Sequence, residues 1–373
     1  MRIGIEAQRI FRKNKHGMDY VVLQEIKQLQ LIDTENEYFV FVAPGEDRCL
    51  QDSSNVHIVE VGGGFYPLWE QYTLPRIVRR YRLDLLHCTS NTAPLVGSTP
   101  LVLTLHDIIF LEPRDKRNKS LYQNMGWLYR RLVVPRILKK CRRIITVSDF
   151  ERKNIVGKLH LPEEQVTMIY NGYNDWFRPT DDAQDIYRKY IDEKGYFFFL
   201  GNTDPKKNTE RTLTAYSEYL KQSDVKRRLL MADLDRQYLE DIITRNHLDN
   251  IRDKIVMPGY IVNSDLPYIY NGAFAFLYTS LRESFGIPLL EAMACGTPVI
   301  TSNTSSMPEI GGKEAILVNP ERTEDITAMM LKLERDPAFY QQQQAYGPER
   351  ARLFSWRQTA EQLLKLYHEV CHT

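Results

Sequence analysis

Short apolar runs alternate with helical patterns along the whole chain, and no other feature constrains the fold as much. In the first half the runs are Arg2–Glu6, Glu37–Ala43, Val56–Val61, Leu83–Cys88, Pro100–Leu105 and Arg143–Val147. In the second half they are Tyr196–Leu200, Arg228–Ala232, Ile255–Met257, Ala273–Thr279 and Pro298–Thr301, with Ala315–Val318 a further candidate. Strands covered on both faces read as such continuous runs, and the helical stretches between them supply the crossovers that parallel strands need. The pattern predicts an α/β protein with parallel sheets. At 373 residues the chain is long for one core and fits two domains. Tyr170-Asn171-Gly172 and the polar run Pro179–Gln184 lie between the halves. The expected domains are therefore residues 1–178 and 179–354, followed by a terminal helix over 355–373. In that helix Trp356, Leu363, Leu364, Tyr367 and Val370 form an apolar stripe able to pack on a domain face.

Composition narrows the function. With 49 basic and 48 acidic residues there is no bulk attraction to nucleic acid. No apolar run approaches the ~18 residues needed to cross a bilayer. The start, Met1 to Glu6, reads as a first strand and is too short in apolar residues for a signal peptide. Five scattered cysteines, Cys49, Cys88, Cys141, Cys295 and Cys371, read as reduced thiols of a cytoplasmic protein. The tail His368-x2-Cys371-His372 has metal-capable atoms but no partner cluster, and reads as an exposed terminus.

The stretch Glu283-Ser284-Phe285-Gly286-Ile287-Pro288-Leu289-Leu290-Glu291 places seven residues between two carboxylates. It follows a buried strand pattern and opens a short helix, roughly Ile287 to Cys295. Pro288 suits the first turn and Gly296 suits the stop. Glu283 then sits in the loop at the strand's carboxyl end, and Glu291 about one turn into the helix. Gly286 and Ile287 can offer backbone N–H groups to phosphate. Two carboxylates beside such a helix start suit a ligand carrying both phosphate and hydroxyl groups, such as a nucleotide sugar. A bare pair of glutamates at this gap is common by chance; the strand, the glycine loop, the proline start and the glycine stop make it specific.

Through these residues, and on through Ala292-Met293-Ala294-Cys295-Gly296-Thr297-Pro298-Val299-Ile300 to Pro308-Glu309, the chain resembles the retaining glycosyltransferases related to bacterial mannosyltransferases, sucrose synthase and glycogen synthase. The resemblance implies two Rossmann-like domains facing each other across a cleft, the GT-B arrangement. It implies that Glu283 faces the donor sugar, that Glu291 holds the ribose hydroxyls, and that the amides after Gly286 meet the diphosphate. It also implies that the terminal helix returns to the first domain.

Other positions fit the loops where such a sheet gathers ligands. His106 follows Leu101–Leu105; a lone histidine is commonly structural, and the family's histidine at this place, close to the donor sugar, favours function. Asp107 either orients His106 or caps the next segment. The loop Gly201-Asn202-Thr203-Asp204-Pro205-Lys206-Lys207-Asn208 offers Gly201 for close approach and Lys207 for a diphosphate. Asn202 stands where the family usually has an arginine, so a second phosphate cation is unnamed. Gly17 lies where the family has a glycine-rich loop, and Tyr260 follows a strand where the family holds the base. Gly62-Gly63-Gly64 reads as a flexible loop. Ser148 reads as a helix cap. No G-x-G-x-x-G follows the first strand, which argues against a dinucleotide dehydrogenase.

The resulting expectation is a metal-independent retaining hexosyltransferase, without a cofactor, that uses a nucleotide-diphosphate sugar. GDP-mannose is favoured by resemblance in the Asn202–Asn208 loop, and the acceptor is a glycan or a lipid-linked sugar of envelope polysaccharide synthesis. A nucleotide-sugar epimerase or hydrolase of the same architecture is the alternative enzyme, and a non-catalytic nucleotide-sugar binder a third class. The basic segment Arg114–Arg143, with Tyr122, Trp127 and Tyr129, reads equally as a solvated helical face or as a patch touching anionic lipid at the inner face of the membrane.

Overall fold

The computed structural model describes residues 1–13, 15–62, 64–112, 121–180 and 186–372. Gly63, residues 114–120 of the basic segment and residues 181–184 of the polar run lie outside the described residues. The chain divides into two units, Met1–Gly172 with Trp356–Thr373, and Tyr173–Ser355.

The first unit carries β1 (Arg2–Glu6), β2 (Glu37–Val42), β3 (Val56–Glu60), β4 (Leu85–Cys88), β5 (Leu101–Thr104), β6 (Cys141–Thr146) and β7 (Val166–Met168). Their order across the sheet is β3-β2-β1-β4-β5-β6-β7, every neighbouring pair parallel. The second unit carries β8 (Tyr196–Leu200), β9 (Leu229–Ala232), β10 (Ile255–Val256), β11 (Ala273–Tyr278), β12 (Val299–Ser302) and β13 (Ile316–Val318). Their order, β10-β9-β8-β11-β12-β13, repeats the first six strands of the other sheet, again wholly parallel. The strands are parallel, as the run pattern predicts; both sheets are doubly wound and Rossmann-like, as the resemblance implies, and each has its switch point beside its first strand. The three-residue β7 is absent from the sequence expectation because it is too short for an apolar run to stand out.

The helix Trp356–His372 belongs to the first unit. Ala360, Leu363, Leu366, Tyr367 and Val370 recur at helical spacing and bury against Ile3, Ile5, Val22 and Ile26. Leu364, placed in the stripe by sequence, is only partly buried. The second core is filled by Phe197 and Phe199 with Leu213, Tyr216, Tyr219 and Ile300, while Phe198, on the other face of β8, packs on Tyr270 and Phe276. Among the described residues no helix is long and apolar enough to cross a membrane.

Candidate functional site

In the second unit the loops leaving β8 and β11 meet at the switch point. After β8, Gly201 lies against the next strand: an added Cβ there would fall 2.8 Å from Leu234 Cβ and 3.0 Å from the Ala232 carbonyl. That packing accounts for the glycine by itself. Asn202 is exposed, and its Oδ1 accepts from the Asp204 amide at 2.8 Å. A short turn, Pro205–Lys207, is ended by Asn208 in the left-handed region at φ 60°. The buried Asn208 amide nitrogen donates to the carbonyls of Thr279 (3.0 Å) and Pro320 (2.7 Å), and the Leu281 amide donates to the Lys206 carbonyl at 2.7 Å. These bonds tie the lysine turn to the end of β11.

The tie brings Lys207 Nζ to 2.6 Å from Glu283 Oε1, with the two side chains only 26% and 13% exposed. A cation and a carboxylate 76 residues apart thus form one unit over the switch point. The Glu283 segment is clamped from a third loop, after β12. Ser305, at φ 54°, accepts from the Glu283 amide at 3.2 Å. Ser306 Oγ lies 3.0 Å from each of the Glu283 and Phe285 carbonyls and is their shared donor. Sequence reading passed over Ser305 and Ser306, although the run Ser302-Asn303-Thr304-Ser305-Ser306 ahead of Met307-Pro308 is a loop signal.

Gly286 caps the helix Ile287–Ala294 at φ 107°, and a Cβ on it would meet Met307 Cε at 2.7 Å. Only glycine suits that position. Pro288 lies in the first turn, where the leading amides have no intrahelical partner, and Gly296 ends the segment at φ 73°. Glu291 projects from about one turn into the helix, half-buried. Burial pushes its carboxyl up to about 8, partly offset by the facing Tyr270 hydroxyl. That hydroxyl is fully buried and makes no well-formed hydrogen bond among the described residues. Tyr278, at the end of β11, faces Glu283 in the same way; burial first, and then the Glu283 charge, hold its phenol well above the usual range. Tyr260 is 67% exposed on the loop after β10, beside Gly259 at φ 81°.

In the first unit the same strand ends carry a different set. His106 is buried after β5. Its ring Nε2 lies 3.0 Å from the Thr89 carbonyl, which only accepts, so Nε2 carries the proton and Nδ1 is the acceptor nitrogen. Burial lowers its affinity for a second proton. Its amide donates to Asn91 Oδ1 at 2.7 Å. Asp107 accepts from the Ile109 amide at 3.0 Å and so caps the next turn rather than orienting the imidazole. Ser148 caps its helix by accepting from the Glu151 amide at 3.2 Å. Gly17 opens the helix Gly17–Ile32 with nothing within 4 Å of an added Cβ, but Asp19, buried in that first turn, already supplies an anion there and pairs with Arg9 at 2.8 Å.

Two buried carboxylates here were not read from the sequence. Glu70, in a π-helical turn Trp69–Thr73, accepts from Tyr66 (2.9 Å), Thr92 (2.5 Å), Gln71 (2.9 Å) and Tyr129. Glu6 has one oxygen on the Gln8 amide at 3.1 Å and the other buried without a partner among the described residues. Burial pushes Glu6 up to about 7, with Arg9 pulling down and Glu70 pushing up. Among the described residues no group of three His, Cys, Asp or Glu is placed to hold a metal ion.

Two Rossmann sheets, one with a lysine–carboxylate pair over its switch point beside a glycine-started helix, define the chain as a GT-B protein. Residues 183–350 match the family model described as glycosyl transferases group 1, and residues 24–176 match the glycosyltransferase family 4 model. O-antigen chain mannosyltransferase B of Escherichia coli is 30% identical over 278 residues, 71% of this chain and 69% of that one. A serotype-specific mannosyltransferase of the same organism is 28% identical over 234 residues, and the match spans 27% of its length. The structure of sucrose-phosphate synthase from Thermosynechococcus elongatus aligns with a TM-score of 0.76 at 20% identity, covering 99% of this chain and 98% of that one. The chain belongs to the group 1 glycosyltransferases, enzymes that transfer a sugar from a nucleotide sugar.

Proposed function

We propose that the second unit binds a nucleotide-diphosphate hexose, with mannose carried on GDP the first candidate, and that the sugar passes with retention of configuration to a glycan or lipid-linked acceptor. The observation that carries this reading is the Lys207–Glu283 pair beside the free amides of the Gly286–Ile287 helix start. A diphosphate leaving group gains negative charge as the glycosidic bond breaks. Lys207 and the helix amides can stabilise that charge without a metal. Glu283 would orient the donor sugar, and Glu291 would take the ribose hydroxyls. Asn202, Gly201 and Tyr260 would border the nucleotide. Mannosyltransferase names among the relatives support the sugar and support transfer over epimerisation.

The first unit also offers a surface for a lipid-linked acceptor. No Asp or Glu occurs from Lys116 to Ser148. On the helix Leu121–Ile137, Met125, Leu128 and Leu132 are 48%, 53% and 51% exposed at helical spacing. Apolar residues in a purely basic setting suit an anionic lipid surface. Thermal stabilisation across a panel of nucleotide sugars, followed by transfer assays in excess EDTA, tests the donor reading. Stabilisation by no nucleotide sugar, or transfer lost in EDTA and restored by metal, would overturn it.

A further inference from the structure

Tyr278 is the floor under the site in the second unit. Its side chain is buried at the carboxyl end of β11. Lys207 Nζ stands 5.8 Å from its ring centroid, within cation–π range. Glu283, held at 2.6 Å from that same ammonium, is near enough for its charge to raise the phenol. Gly286 passes over the same ring, since a Cβ there would lie 3.5 Å from Tyr278 Cε1. The ring is itself held by stacking on Phe276 at 5.5 Å, and its carbonyl accepts from Thr301 Oγ1 at 2.9 Å. One aromatic side chain therefore borders the cation, the carboxylate paired with it and the helix start.

This placement answers a problem that the proposed function raises. Lys207 and Glu283 satisfy each other in the structure, at 2.6 Å. A diphosphate arriving at Lys207 competes for that ammonium. Glu283, withdrawn from solvent, would then lose its cation just when it must stay aimed at the sugar, and a buried carboxylate without a donor is costly. We infer that Tyr278 is a positioning residue: its hydroxyl holds Glu283 in place while Lys207 turns from Glu283 to the diphosphate, and its ring keeps Lys207 within reach of both. The phenol stays protonated because it is buried against a carboxylate, so it is available as a donor. The inference rests on the donor reading given above.

The test compares sugar-dependent affinity, the ratio of Kd for a nucleoside diphosphate to Kd for its sugar conjugate, by calorimetry. The probes are GDP with GDP-mannose and UDP with UDP-glucose, taking the pair that stabilises the wild type more. Tyr278→Phe removes one oxygen and keeps the ring. It should leave nucleoside diphosphate affinity and melting temperature near wild type and cut the sugar-dependent ratio roughly 10-fold, as loss of one hydrogen bond to a charged group does. Glu283→Gln should show a similar loss, and the double variant should be no worse than Glu283→Gln alone. Tyr278→Leu, which removes the ring, should also weaken nucleoside diphosphate binding, because Lys207 loses its seat. A wild-type ratio in Tyr278→Phe, or additive losses in the double variant, would overturn the hand-over. If Lys207→Ala and Glu283→Gln bind both probe pairs like the wild type, the donor site itself is misassigned and the inference falls with it.

Discussion

The Tyr367 hydroxyl and His87 Nδ1 lie 2.7 Å apart, although 280 residues separate them in sequence. The other imidazole nitrogen meets Thr104 Oγ1 at 2.7 Å. Burial, then the nearby His106, pulls His87 down to about 3, so the ring is neutral and both bonds are between uncharged groups. The chain's last helix is thus riveted to β4 and β5, next to the strand ends that carry Thr89 and His106.

Tyr367→Phe should destabilise the first unit by ~1–3 kcal/mol, because it strands a buried ring nitrogen. Leu363→Ala, fully buried in the same stripe, should cost more, ~2–5 kcal/mol, through lost contact and a cavity. Urea unfolding followed by far-UV circular dichroism measures both. An unchanged midpoint in Tyr367→Phe would show that the rivet adds nothing.

Glu6 should make stability fall as pH rises. Its folded carboxyl is raised from 4.5 to about 7, so between those values the folded state holds a proton that the unfolded chain has released. Stability from this group is full below pH 4.5 and is lost as pH climbs through about 7. The groups facing it are Arg9, Glu70, Tyr66 and Cys88, together with the Gln8 and Thr89 backbone contacts. Glu6→Gln should match the wild type near pH 5 and exceed it at pH 8, with a relative slope of at most ~1.4 kcal/mol per pH unit. Parallel melting curves for the two proteins across that range would refute the buried-acid account.

These carboxylates also mark what sequence could and could not convey. The sheets were legible because strands covered on both faces, such as Tyr196–Leu200 and Ala273–Tyr278, must be apolar throughout. The helix start at Gly286 was legible because its turn and its proline obey local rules. Glu6 and Glu70 were not. Thr92 and Tyr129, which donate to Glu70, are distant in sequence, while the Gln8 amide and the Arg9 charge beside Glu6 look in sequence like any polar turn after a strand. Tyr278 was hidden for the opposite reason. In sequence it is one more aromatic in an apolar run; only the approach of Lys207 from the loop after β8, where it pairs with Glu283, distinguishes it.

The basic surface of the first unit should bind anionic vesicles weakly and with salt sensitivity, since exposed charges are screened within ~8 Å at physiological ionic strength. Co-sedimentation with phosphatidylglycerol and with phosphatidylcholine vesicles, at low and high salt, reads this out. Leu128→Ser with Leu132→Ser should reduce binding at high salt, where the apolar contribution remains, more than at low salt. Equal binding to both lipids would discard the electrostatic part, and no binding to either would leave a solvated face.

Glu291→Ala and Lys207→Ala should damage donor use in different ways. Glu291 is assigned to the ribose, which is unchanged during transfer, so its loss should mainly raise the donor KM. Because burial holds its carboxyl at about 8, ribose hydroxyls that prefer the charged form should drive proton release on binding, and donor affinity should rise from pH 7 to pH 9. That rise should vanish in Glu291→Gln. Lys207 is assigned to the diphosphate, where charge builds in the transition state. Its loss should lower kcat by about 10²-fold, the scale of removing one donor to a developing anion. Both variants should melt near the wild-type temperature without ligand, since both side chains stand at the site's edge. Steady-state kinetics with varied donor separates the two effects. A Lys207→Ala enzyme with normal kcat and kcat/KM would assign the leaving group to another cation.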